Sequence, residues 1–223
     1  MPEPIIVILQ TFRRTDVALR TIAAARQFLR YPDLRWYVAD DGSPREHYEA
    51  VLEAVGGDLW AAHSERRGYG GNMNAAVEAA HGVSALLFAL EDDWELRAPL
   101  DLYQYACLLM ESEEIGMVRL GTLNLDIRGR SWAHGGRVYW KLDKEAHIEG
   151  TPVFTGHPSL RHRRYREAYG EYPVGLTPGD TELAYAWQFR MGPQAAPGIV
   201  WPADYPASGL FGHIGSVKTE SLL

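Results

Sequence analysis

The chain has 223 residues, the size of one α/β domain, and 46% of them are hydrophobic, enough for a substantial core. A formal net charge of −7 argues against generic nucleic-acid binding. The single cysteine, Cys107, excludes an intramolecular disulfide, and no basic leader or long apolar stretch is present, so a cytoplasmic protein without a transmembrane segment is expected.

Ile5 to Leu9 is a short β-branched run, the pattern of a strand buried on both faces. Thr15 and Asp16 open a helix that carries Val17, Ile22, Ala25 and Leu29 near one face. Arg35 to Ala39 predicts a second strand, ending in Asp40-Asp41-Gly42-Ser43. Ser43 suits an N-cap, Pro44 the first helical position and Glu46 a capping box, for a helix to about Val55. Leu59 to His63 predicts a third strand, Gly68 to Gly71 a glycine-rich turn, and Asn72 to Ala80 a helix. Ala85 to Leu90 is an apolar strand that delivers Glu91, Asp92, Asp93 and Trp94 at its C-terminal end. A helix over Pro99 to Glu113 and a strand over Met117 to Leu120 follow.

The second half is less regular. Residues 129–150 suggest a hairpin. Ser159 is placed to cap a helix rich in Arg and Tyr, and Pro178-Gly179-Asp180 leads into a helix from Thr181 to Phe189. From Gly198 the chain is rich in Pro, Gly and aromatics and reads as loop. With no repeat and no linker, one domain over residues 1–223 is expected, in two halves, 1–120 and 121–223.

Three segments carry chemistry. Glu91, Asp92 and Asp93 are adjacent carboxylates at the end of a buried strand, where open α/β sheets bind ligands. Their mutual repulsion is relieved by a divalent cation with oxygen ligands, and Mn²⁺ or Mg²⁺ would also bind a diphosphate. Asp40 or Asp41 can accept bonds from a base or a ribose. Arg66 to Asn74 (RRGYGGNMN) combines arginines that reach phosphates with glycines that permit close backbone approach. It lacks the third glycine of a dinucleotide fingerprint and does not follow the first strand, which excludes a Rossmann dehydrogenase.

In order and spacing, Ile5–Arg14 (IIVILQTFRR), Asp40–Ser43, Gly68–Asn74 and Leu90–Asp93 resemble the inverting family 2 glycosyltransferases of the GT-A type. LEDDWELRAPLDLY is also similar to the Glu-Asp-Asp metal motif of N-acetylglucosaminyltransferase I and its relatives. The resemblance implies an α/β fold with a mostly parallel central sheet flanked by helices and a mixed C-terminal acceptor region. It implies a nucleotide-diphosphate sugar donor, UDP-linked by first choice, and Mn²⁺ or Mg²⁺ as cofactor. It implies nucleotide-sugar contacts from Thr11, Phe12, Arg14, Asp40, Asp41, Arg67, Gly68, Asn74, Glu91 and Asp92, with Asp93 on the metal and a late histidine, His213, completing its shell. Gly179-Asp180-Thr181-Glu182-Leu183 resembles the segment that supplies the general base, with Asp180 the better match and Glu182 the alternative. The acceptor stays open between a glycan, a small molecule and a hydroxylated nucleic-acid base, the last suggested by the Arg161–Arg166 stretch. A non-catalytic nucleotide-sugar-binding protein is the rival reading.

Overall fold

The computed structural model describes residues 2–121, 129–144, 154–204 and 209–215. Strand β1 (Ile5–Thr11) is buried along its whole length and leads through a short loop into α1 (Thr15–Phe28). The two-residue β2 (Leu29–Arg30), strand β3 (Leu34–Asp40), α2 (Arg45–Val55), β4 (Leu59–Ser64), α3 (Gly68–His81) and β5 (Leu86–Glu91) follow. Next come β6 (Trp94–Leu96), β7 (Leu100–Asp101), α4 (Tyr103–Glu111) and β8 (Ile115–Arg119). The rest is the hairpin β9 (Gly129–His134) and β10 (Arg137–Leu142), then β11 (Ser159–His162), α5 (Arg163–Tyr169), α6 (Pro178–Met191), β12 (Gly198–Pro202) and β13 (Phe211–His213).

Among the described residues the main sheet has nine strands in the order β4-β3-β1-β5-β11-β8-β12-β10-β9. β4, β3, β1 and β5 are mutually parallel. β11 runs against both β5 and β8, β12 runs with β8, and β10 runs against β12 and β9. Only β10 and β11 therefore oppose the other seven, as the expected mostly parallel sheet with a mixed C-terminal region requires. Alternation along each strand feeds two layers. Ile5, Val7, Leu9, Val38, Leu86, Phe88 and Leu90 pack with α1, α2 and α4; Ile6, Ile8, Ala39, Leu87 and Ala89 pack with α3, α5 and α6. The second layer contains an aromatic block of Phe154, Tyr165, Tyr169, Tyr172, Tyr185 and Phe189.

Several local expectations change. Ser159 does not cap a helix; it enters β11, where long-range pairing to two strands overrides local preference. The α5 cap is His162, whose ring accepts from the Arg164 N–H. Ser43 is not the cap of α2, which starts after Pro44 without a side-chain cap; its hydroxyl accepts instead from the Arg13 N–H at 2.8 Å. Gly68 to Gly71 is the first turn of α3 and not a separate loop. The helix expected from Pro99 begins only at Tyr103, because Leu100 and Asp101 pair with β2. The helix expected from Thr181 begins at Pro178, capped by Thr177, whose hydroxyl accepts from the Asp180 N–H. The tail read as loop supplies β12 and β13. Residues 145–150 of the hairpin expectation, and 205–208 and 216–223 of the tail, lie outside the described residues.

Helix α3 sits tightly under the chain that leads to α6. A Cβ on Gly70 would fall 2.0 Å from the Pro173 carbonyl oxygen, while one on Gly57 would meet nothing within 4 Å. Gly70→Ala is expected to destabilise by about 1–3 kcal/mol through overpacking against backbone. Gly57→Ala should leave the urea midpoint nearly unchanged, and equal midpoints for the two variants would refute this account.

Candidate active site

The parallel register aligns the strand ends: Thr11 lies beside Asp40, and Gln10 beside Glu91. Backbone bonds extend the alignment by one residue, Asp41 N–H to the Thr11 carbonyl at 3.1 Å and Asp92 N–H to the Gln10 carbonyl at 3.0 Å. The acidic stretch is thus fixed by its main chain before any side chain acts.

Asp92 is buried. Its Oδ2 accepts from the Thr11 hydroxyl at 2.9 Å and the Phe12 N–H at 3.1 Å, and its Oδ1 from Arg14. Burial pushes its carboxyl up to about 6, against the opposing pull of Arg14. Asp93 Oδ2 accepts from Arg14 Nη1 at 2.6 Å and lies 3.2 Å from His213 Nε2, while Asp93 Oδ1 is buried without a partner among the described residues. His213 arrives from the far end of the chain because β13 pairs with β6, setting His213 opposite Trp94; the Ile214 N–H bonds the Asp93 carbonyl at 2.8 Å.

A second centre forms around Gly156. The Tyr69 hydroxyl donates to Glu91 Oε1 at 2.7 Å, and the Gly156 N–H donates to Glu182 Oε1. A Cβ on Gly156 would fall 2.1 Å from Glu91 Oε1 and 2.6 Å from both Glu182 Oε1 and the Tyr69 hydroxyl, so the three converge on one point. Burial, then the charge of Glu182, holds the Glu91 carboxyl well above the usual carboxylate range. Burial raises Glu182 too, opposed by the Gly156 N–H and by the cations of Arg119 and Arg161.

The remaining sequence candidates divide. Asp40 is fully buried, with Oδ2 accepting from the Ser43 N–H at 2.8 Å and the Ser64 hydroxyl at 2.5 Å. Asp41 Oδ1 accepts from the N–H groups of Arg67 and Gly68, both at 2.8 Å, neutralising the exposed donors at the start of α3. Both aspartates therefore hold the loops at the strand ends. The guanidinium groups of Arg13 and Arg66 lie over the Phe12 ring, 4.7 and 4.4 Å from its centre. The Arg67 guanidinium pairs with Glu65. Asn74 is committed to the chain at Tyr172, donating to its carbonyl and accepting from its N–H, both at 2.9 Å. Asp180 is exposed and accepts from the Thr177 hydroxyl at 2.7 Å, outside the carboxylate cluster that contains Glu182.

The Arg161–Arg166 stretch is used internally. Arg161 bonds Ser159 and Tyr172, Arg163 the carbonyls of His81 and Ser84, Arg164 those of Leu109, Ser112 and Ile115, and Arg166 pairs with Glu171. Sequence reading overlooked Tyr69, which stood inside the glycine-rich segment it singled out. It also overlooked Gly156 and Arg119, and read Arg161 only as part of a basic stretch; the roles of Arg119 and Arg161 come from the long-range placement of β8 and β11. Among the described residues no three His, Cys, Asp or Glu side chains are grouped as a metal site. The Asp93–His213 pair, with the orphaned Asp93 Oδ1, fits two positions of a Mn²⁺ or Mg²⁺ shell whose remaining oxygens come from elsewhere.

Residues 6–170 match the family described as Glycosyl transferase family 2. The chain belongs to that family. The match ends before α6, so Glu182 and His213 lie beyond it. Among solved structures, the chain is similar to the mannosyltransferase PcManGT from Pyrobaculum calidifontis in complex with GDP-Man and Mn²⁺, at 18% identity and a TM-score of 0.63 over 92% of this chain and 56% of that one. It is also similar to S. aureus TarS, at 12% identity and a TM-score of 0.65 over 90% of this chain and 35% of that one. A TarS fragment, residues 1–349, in complex with UDP gives 13% identity and a TM-score of 0.62 over 90% of this chain and 58% of that one. At such identities the likeness is one of fold, the GT-A fold, and the family 2 chain spans little more than half, or less, of each. No curated protein matches the chain. No helix among the described residues is long and apolar enough to cross a membrane.

Gly156→Ala tests the convergence of Glu91, Glu182 and Tyr69. The methyl must push one or more of these groups aside, and a displacement near 1 Å at a reacting group can cost about 10²-fold in rate. Any turnover that uses these groups should fall by roughly that factor with the melting temperature little changed. An unchanged rate would count against a shared site.

Proposed function

We propose that the chain is an inverting, metal-dependent glycosyltransferase that moves a sugar from a nucleotide-diphosphate donor, UDP-linked by first choice, to an acceptor hydroxyl. The observation that carries this reading is the pair of partly buried carboxylates, Glu91 and Glu182, that converge at Gly156, next to the Asp93–His213 pair that follows the strand of Glu91. The GDP-Man and UDP bound in the similar structures support the donor class.

Asp93 and His213 would hold the metal, which when bound neutralises the diphosphate leaving group as a Lewis acid. The Phe12 ring with Arg66 offers a flat, cationic face for a base, and Asp40 and Asp41 keep the flanking loops in position. Burial holds the Glu91 carboxyl well above the usual carboxylate range, and in its protonated form Glu91 can donate a hydrogen bond to a sugar hydroxyl. Glu182 is the better base: it points into the cluster, whereas Asp180 is exposed and bound to its own helix cap. Glu182 takes the proton of the acceptor hydroxyl as that oxygen bonds to the anomeric carbon and the bond to the diphosphate breaks on the opposite face. One displacement assisted by one carboxylate inverts the configuration. The internal use of Arg161–Arg166 takes away the stretch that suggested a nucleic-acid acceptor, which favours a glycan or small molecule.

Glu182→Gln should lower turnover by about 10²–10⁴-fold with donor binding retained, while Asp180→Asn stays near wild type. Because burial raises the Glu182 carboxyl from its ordinary value, the acid end of the pH range is where it is protonated and inactive as a base. The wild-type rate should therefore climb with pH from that end, and Glu182→Gln should lose that limb. Loss of transfer in Asp180→Asn alone would move the base to Asp180. Donor binding without transfer or donor hydrolysis in the wild type would favour a binding protein.

A further inference from the structure

The two oxygens of Asp93 have different surroundings. Oδ2 is shared between Arg14 and His213, and Oδ1 is buried without a partner among the described residues. Arg14 also reaches Asp92, so its guanidinium is split between two carboxylates, and its Nε is itself buried without a partner among the described residues. An arginine built to hold one carboxylate uses two parallel bonds to it; Arg14 instead spreads one positive charge over two acids. The backbone closes over this group: a Cβ on Gly215 would fall 2.4 Å from Asp93 Oδ2 and 2.9 Å from Arg14 Nη1. One guanidinium therefore occupies the oxygen that a metal on Asp93 and His213 would share.

We propose that Arg14 is a resident counter-ion for Asp92 and Asp93, which a divalent cation must displace, and that the displaced guanidinium turns to the donor diphosphate. The inference rests on the reading of Asp93 and His213 as metal ligands. A guanidinium and a divalent cation repel each other strongly at a shared oxygen. Metal entering the nucleotide-free protein loses the Arg14 ion pairs, and a diphosphate gives that cation a new partner. Metal and nucleotide then strengthen each other's binding, a coupling that is reciprocal by thermodynamic necessity. A purely structural Arg14, holding Asp93 in place for the metal, predicts the opposite sign on removal.

The test is Mn²⁺ binding to nucleotide-free protein, read as free Mn²⁺ by electron paramagnetic resonance, for wild type, Arg14→Gln, Arg14→Met and Arg14→Lys. The two neutral variants guard against misfolding, and whichever melts as wild type carries the test. The neutral variants should bind Mn²⁺ about ten-fold more tightly than wild type, the scale of one lost charged hydrogen bond. Arg14→Lys should stay close to wild type, and UDP added with Mn²⁺ should bind the neutral variants more weakly. Neutral variants that bind Mn²⁺ no more tightly overturn the counter-ion role while leaving the metal reading standing. If no form, with or without UDP, binds Mn²⁺, both fail together.

Discussion

The burial of acid is the constraint on which this structure depends. Glu91, Asp92, Asp93 and Glu182 meet where β1, β3 and β5 end, and each negative charge taken from water must be neutralised, hydrogen-bonded or protonated. The protein uses all three. Burial pushes Glu91 toward its protonated form, Asp92 takes two hydrogen bonds and a guanidinium, Asp93 Oδ2 lies between Arg14 and His213, and Glu182 has the Gly156 N–H and two distant cations. Burial raises the carboxyls of Glu91, Asp92 and Glu182 against different partners, the condition for giving them different chemical tasks.

The layer beneath the site explains how buried arginine is tolerated there. Arg161 emerges from β11 into the aromatic block, donates to the Tyr172 hydroxyl and lies over the Phe154 ring at 5.2 Å. Tyr172 and Tyr185 stack with centroids 4.2 Å apart, and Tyr185 also touches Phe154. Aromatic faces and hydroxyls stand in for water around the guanidinium. The same block packs against α6, the helix that carries Glu182, so packing and electrostatics fix one carboxylate together.

What the sequence made legible follows from range. The β1, β3 and β5 segments are apolar runs with acids at their ends, and that local pattern was enough to locate Asp93 and the acidic cluster. The Glu91–Glu182 encounter depends on residues 91 apart in number, and Glu182 rather than Asp180 enters the cluster only because α6 starts at Pro178 and turns that face inward. Ser159 shows the same limit from the other side. Its neighbourhood looks like a helix start, yet its strand exists only because β5 and β8 both offer it an edge. His213 was found through resemblance, whereas its approach to Asp93 is set by a three-residue pairing with β6.

The position of β11 bears on synthesis. Strand β5 is complete at residue 91, but the partner that covers its open side is not made until residues 159–162. On the ribosome the parallel half of the sheet would therefore present an apolar edge, ending in three acids, for the time it takes to add some seventy residues. Late closure of a central strand raises the mean separation of contacts and slows folding, and an open edge invites pairing with other chains. The repulsion among Glu91, Asp92 and Asp93 would then protect the nascent chain, keeping that edge from joining its own copy.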